Sequence, residues 1–279
     1  MRTNRLIFSF ILAIMALGSL PAQAITVPPG INCSGILGMA DYLHGHRIVM
    51  FGEGHGTNEM PATFLRIVCT ALQQGAEVSV GLEQPADQEQ PLAMYLTSDG
   101  GLAAREALLQ TDFWITGKDG RASVAMLDMI EGLRRLRQAG YRLTVFPMQG
   151  RSTDWHLRND EKMADRIRAE FSARPASLIL TLSGNIHNMK TKPAWLPAEV
   201  PAAVPTYLKD LGTDTFNLTS TGGGAWDCQK ECGVHFRTVQ AGPQEFAVIV
   251  SDAKDAYTGD INVGPTTASL PAVESLRPR

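Results

Sequence analysis

The sequence has 279 residues, 44% of them hydrophobic and 19% charged, with a formal net charge of −3 at neutral pH. That balance suits a folded globular chain and leaves no basic stripe of the kind that binds nucleic acid or an anionic membrane surface.

The first residues read as an export signal. Arg2 and Arg5 precede an apolar stretch, Leu6 to Leu20, and then Pro21-Ala22-Gln23-Ala24. A basic start, a short apolar core and a small-x-small end predict cleavage after Ala24 and a periplasmic or secreted product, with no membrane contact after cleavage. The stretch is short for a membrane span, and no later one is long enough. Residues 25–279 are then expected to form a single α/β domain, and losing the two arginines takes the net charge from −3 to −5. Cys33, Cys69, Cys228 and Cys232 all lie in that part. An oxidising compartment favours disulfides over a zinc site, since only one close cysteine pair exists. Local spacing pairs Cys228 with Cys232 and leaves Cys33 for Cys69.

In chain order, Ser34 to Leu43 reads as a short helix, and Ile48-Val49-Met50-Phe51 as the first buried strand. His44 and His46 lie at its amino end, about 20 Å or more from its carboxyl end at 3.3 Å per residue, and read as turn residues. The strand stops in Gly52-Glu53-Gly54-His55-Gly56-Thr57-Asn58-Glu59-Met60-Pro61, and Pro61 suits the first turn of a helix ending near Gly75. Val78 to Leu82 is a second strand, delivering Glu83. A strand, helix and strand in that spacing predict a parallel pair joined by a right-handed crossover, which puts Glu83 on the same rim as Glu53 and His55. Ligands in open α/β sheets bind at that rim.

Residues 84–120 are irregular, with helical pieces at Pro91–Leu96 and Leu102–Leu109. Thr111-Asp112-Phe113-Trp114 and Gly117-Lys118-Asp119-Gly120-Arg121 are expected to cap the rim. Ser123 caps a helix to Gln138 whose Met126, Met129, Leu133 and Leu136 share a core face. Tyr141 to Phe146 is a third strand. Asn159 and Asp160 begin a helix whose pairs Glu161–Asp165 and Lys162–Arg166 are of like sign, so packing of Met163, Ile167 and Phe171 must hold it. Ser177 to Leu182 is a fourth strand running into Ser183-Gly184-Asn185-Ile186-His187, which places a second histidine just past a strand end. Residues 193–205 suggest a covering loop. Val204 to Leu208 and Thr215 to Leu218 read as short strands, Thr221 to Gly224 as a flexible loop, Phe246 to Val250 as a last buried strand, and Thr266 to Arg279 as a surface tail. The fold expected is a mostly parallel open sheet with flanking helices and a loop and helix cap.

The Gly52-Glu53-Gly54-His55-Gly56 turn with Glu59, Gly81-Leu82-Glu83 placed 28 residues after His55, Asn159-Asp160 with Met163-Ala164, and Leu180 to Asn188 with its Asn-x-His end occur in one order. In that order they resemble the erythromycin esterase family, part of a wider group with ChaN-like haem-binding proteins and Tiki/TraB metallopeptidases. The resemblance spans most of residues 25–279. It implies a hydrolase in which His55 is the general base for water, Glu83 a catalytic or orienting carboxylate and His187 a second site histidine. The chain lacks the large helical insert that helps those esterases enclose a macrolactone, so a macrolide is not implied.

The residues themselves agree with hydrolysis of a small-molecule ester or amide. A neutral imidazole takes a proton from water near neutrality, a carboxylate such as Glu83 or Glu53 holds its other nitrogen, and His187 or Arg121 steadies the oxyanion. Glu53 and Glu59 stay open between ligand, orienter and turn support. No Gly-x-Ser-x-Gly elbow is present, so no covalent intermediate is expected. Two alternatives use the same rim. In one, His55, Glu53, Glu83 and His187 bind a divalent metal. In the other, a histidine or Tyr207 is an axial ligand to haem, without the C-x-x-C-H of covalent attachment.

Overall fold

A computed structural model describes residues 25–151, 159–192, 194, 202–252 and 255–276. The export signal and most of the 193–205 loop lie outside the described residues. The elements run α1 (Met39–Leu43), β1 (Ile48–Glu53), α2 (Glu59–Gln73), β2 (Glu77–Pro85), α3 (Glu89–Thr97), α4 (Leu102–Leu109), α5 (Asp112–Thr116), α6 (Val124–Gln138) and β3 (Leu143–Gln149). They continue with α7 (Asn159–Ala173), β4 (Ser177–Gly184), α8 (Val204–Tyr207), β5 (Asp214–Thr219), β6 (Gly223–Cys228), β7 (Cys232–Arg237), β8 (Val248–Val250) and β9 (Gly259–Asn262).

Seven strands make one open sheet in the order β3-β2-β4-β1-β5-β9-β8, and β6 and β7 form a separate hairpin. Every pairing in the large sheet is parallel except the edge pair β8 and β9. Central strands β1 and β4 are buried along their whole length, as strands covered on both faces must be. On one face, Phe51, Phe64, Ile67, Leu82, Ile130 and Leu133 belong to the main core under α2 and α6. On the other, Ile48, Met50, Met163, Ile167 and Val204 form a second core under α7 and α8. The like-charged surface of α7 is thus held by its apolar side. Ser123 caps α6 as expected, its hydroxyl accepting from the Met126 N–H.

Several expectations are corrected. β1 and β2 are parallel but not neighbours, because β4 inserts between them. Both still end on one rim, since that follows from strand direction rather than adjacency. Residues Val204–Tyr207 are helical rather than extended; Pro205 has no N–H to lose at a helix start. Phe246 to Val250 yields only the three-residue edge strand β8, with Val250 64% exposed, and β9 follows it. An apolar run alone does not separate an edge from a centre. Gly223 and Gly224 begin the hairpin instead of forming a loop.

The tail is not a surface peptide. Ala272 and Ser269 are buried, Asn58 donates to the Thr267 carbonyl at 3.0 Å, and the Ser269 hydroxyl accepts from the Ala125 N–H at 2.8 Å. It satisfies amides at the starts of α2 and α6, which a helix leaves unpaired. Both expected disulfides form: Cys33–Cys69 spans 36 residues and Cys228–Cys232 spans 4. A loop of the first size stabilises by about 4 kcal/mol through the unfolded chain. Among the described residues no helix is long and apolar enough to cross a membrane.

Candidate active site

The carboxyl ends of β1, β4 and β2 lie side by side, and register decides what meets there. Glu53 is level with Gly184, and Leu82 with Leu182, so Glu83 follows one step later on the other flank of β4. Gly184 is the gap between the two acids. A Cβ there would stand 3.0 Å from His55 Nε2 and 3.4 Å from Glu83 Oε2.

Glu83 is the centre of this rim. Its Oε1 accepts from Arg121 Nη1 and from Gln149 Nε2, each at 3.1 Å, and its Oε2 accepts from the Gly184 N–H at 2.6 Å. His55 Nε2 lies 3.5 Å from Oε2 and His187 Nε2 lies 3.6 Å from Oε1. Each imidazole is gripped on its far side by its own carboxylate. His55 Nδ1 meets Glu53 Oε1 at 3.0 Å, and His187 Nδ1 meets Asp160 Oδ1 at 2.8 Å. Asp119 takes the other edge of Arg121, from Nε at 2.9 Å and from Nη2 at 2.6 Å.

The protonation behaviour follows from these contacts. Burial would raise the Glu83 carboxyl, but the charges of His187, His55 and Arg121 and the Gly184 N–H hold it below its ordinary range. Burial opposes charge on His187, yet Glu83 and Asp160 raise its pKa to about 9. Burial also opposes charge on His55, and the Glu53 hydrogen bond with the charges of Glu83 and Glu53 leaves its pKa raised. Burial pushes the Glu53 carboxyl up, only partly offset by His55. Among the described residues Glu53 Oε2 has no hydrogen-bond partner, while Oε1 is held by His55.

Of the six residues singled out for catalysis, Glu53, His55, Glu83, Arg121 and His187 converge. Glu59 does not join them: its carboxylate accepts from the Thr267 hydroxyl at 2.6 Å and the Thr267 N–H at 2.9 Å. It ties the tail to the start of α2. Asp160, Asp119 and Gln149 were not among the expected residues. Each had a faint signal: the Asn159-Asp160 motif, a place two residues from Arg121, and the carboxyl end of β3. Tyr207 packs against the second core, on α8. His46 lies at the amino end of β1, its Nε2 3.2 Å from Asp214 at the start of β5.

A cleft of about 370 Å³ opens beside His55, lined also by Asp119, Asn185, Asp227, His235 and Arg237. The rim does not fit a metal. Arg121 stands where a cation on Glu83 would, both imidazoles are held on carboxylates, and among the described residues no three His, Cys, Asp or Glu side chains are grouped to hold an ion.

No protein-family model matches the sequence, and no curated protein matches it. Solved structures do share the fold. An open-conformation mutant of the erythromycin esterase EreC superposes with a TM-score of 0.54 at 14% identity, covering 72% of this chain and 78% of that one. A Bacillus cereus protein gives 0.55 at 10% identity over 83% of this chain and 91% of its own. A succinoglycan biosynthesis protein gives 0.58 at 10% identity over 88% and 94%. The fold is therefore erythromycin esterase-like, and these identities speak to the fold alone.

Proposed function

We propose that the protein is an exported hydrolase of a small-molecule ester or amide, with residues 25–279 acting as one domain. The observation that carries this reading is the Glu53–His55 pair opening on a cleft while two further cations, Arg121 and His187, face the same rim carboxylate. Two disulfides fit an oxidising compartment, in keeping with export.

In this mechanism neutral His55 takes a proton from water at Nε2 as the water oxygen bonds to the substrate carbonyl carbon. Glu53, on Nδ1, orients the ring and stabilises the imidazolium that forms. Negative charge moves onto the carbonyl oxygen and is offset by the charges of Arg121 and protonated His187, which act through space from beside Glu83 rather than from the cleft wall. Collapse of the intermediate breaks the bond to the leaving group, which takes the proton back from His55. Glu83 stays ionised throughout and fixes Arg121 and His187 by its charge. No side chain forms a bond to the substrate.

A panel of simple ester and amide substrates against the wild type and His55→Ala tests this. Turnover should fall by about 10²–10⁴-fold in the variant, the usual contribution of a general base. Equal activity of the two proteins, or no turnover of any substrate by the wild type, would reject the mechanism.

A further inference from the structure

The cleft has a second wall that the hydrolytic steps leave unused. In the hairpin, Gly223 pairs with Arg237, Ala225 with His235 and Asp227 with Gly233. Strand side chains alternate, so these positions share one face, while Trp226, Val234 and Phe236 share the other. The first face lines the cleft that His55 lines. It is small at 223 and 225 and carries its polar groups at 227, 235 and 237.

Charge on this wall is unevenly matched. Asp227 Oδ1 holds His235 Nδ1 at 2.5 Å, and Asp119 is engaged by Arg121. Both acids of the cleft thus have cationic or donor partners. The Arg237 guanidinium and His235 Nε2 have none among the described residues. Arg237 also borders an adjoining cleft of about 530 Å³, lined by hydroxyls and amides such as Thr221, Thr238 and Gln240.

The wall is held in place relative to His55. The Trp226 N–H donates to the Gly56 carbonyl at 2.9 Å, and its indole donates to the Lys118 carbonyl at 2.9 Å. Cys228–Cys232 closes the hairpin tip. Gly56 is the residue after His55, at φ +76, where a Cβ would strike the Trp226 carbonyl oxygen. A binding group fixed to the catalytic turn positions a substrate at the reacting atoms.

Resting on the hydrolase reading, we propose that the substrate of the His55 site carries a carboxylate, bound by the Arg237 guanidinium, with His235 beside it on the same face of the hairpin. Arginine suits the task because its planar fork meets both oxygens of a carboxylate. Asp227 sets the ring of His235, so it is a positioning residue on this wall.

The test compares monomethyl esters of succinate, glutarate and adipate with the matching dimethyl esters, in the wild type and Arg237→Met. For the best-fitting chain length the wild type should show KM about 10–100-fold lower for the monoester, the range of a hydrogen bond to a charged group. Arg237→Met should erase that preference, bringing the ratio of diester to monoester KM down to about one. No preference in the wild type, or the same preference in the variant, overturns the proposal. A second arm is independent of turnover: calorimetry of free succinate, glutarate and adipate with the wild type, Arg237→Met and His55→Ala. Binding kept in His55→Ala and lost in Arg237→Met supports the anion site even if no ester is hydrolysed, in which case only the hydrolase reading falls. No binding by the wild type, or undiminished binding by Arg237→Met, rejects it.

Discussion

Two histidines flank Glu83 in nearly mirrored positions, and they are not equivalent. Each presents Nε2 to one oxygen of Glu83 and rests Nδ1 on its own carboxylate. His55 lines the cleft, and its partner Glu53 is buried with one oxygen unpaired among the described residues. His187 does not line that cleft, and its partner Asp160 lies on α7, an element from the opposite face of the sheet. The same pair of side chains therefore serves different ends. One lines the cleft and is hydrogen-bonded to a buried acid. The other is held cationic by two carboxylates and suits charge stabilisation rather than proton uptake.

Removing the carboxylate between them should have the largest effect. Glu83→Gln leaves His187, His55 and Arg121 facing an uncharged amide, and turns a donor toward either Gly184 N–H or Arg121. Breaking a buried charge cluster in this way costs about 3 kcal/mol or more. Denaturant unfolding should show that loss, together with hydrolysis reduced by about 100-fold or more. Stability within about 0.5 kcal/mol of wild type would show that Glu83 is not the electrostatic centre.

The next effect separates the histidines by pH. His55 must be neutral to act, and its raised pKa moves the acid limb of kcat/KM above the ordinary value near 6.5. His187 has a folded pKa raised to about 9. Its ion pairs are therefore fully stabilising below about 6.5 and are lost as pH rises through about 9. Asp160→Asn removes one of the two causes of that rise. The alkaline limb, and the pH by which the His187 contribution to melting temperature is fully lost, should both move toward neutrality while the acid limb stays. If the acid limb moves instead, the roles of the two histidines are reversed.

The smallest effect belongs to Glu59, which lies outside the pair. Glu59→Gln weakens its hold on Thr267 and should cost about 1 kcal/mol in urea unfolding with kcat unchanged. A tenfold loss of activity at unchanged stability would place Glu59 back in the chemistry.

Local pattern made much of this legible. The apolar runs of β1, β2 and β4, each ended by a glycine or an acid, mark strands and the rim they share, because parallel strands joined by helices must point the same way. Cys228 and Cys232 are close enough in sequence for their pairing to be read directly. The edge strand β8, short helix α8 and tail were misread because burial there depends on what lies alongside.

The sequence by itself determined the class of fold and the strand ends carrying Glu53, Glu83 and His187, since period, turn chemistry and direction are local properties. Only the tertiary structure decided that β4 separates β1 from β2, so that Gly184 leaves the space in which Glu83 meets both imidazoles. It alone brought Asp160 from α7 to His187 and set the Asp227, His235 and Arg237 face of the hairpin beside His55. Those contacts join residues far apart in the chain. Packing and register, which no local pattern encodes, are what place them.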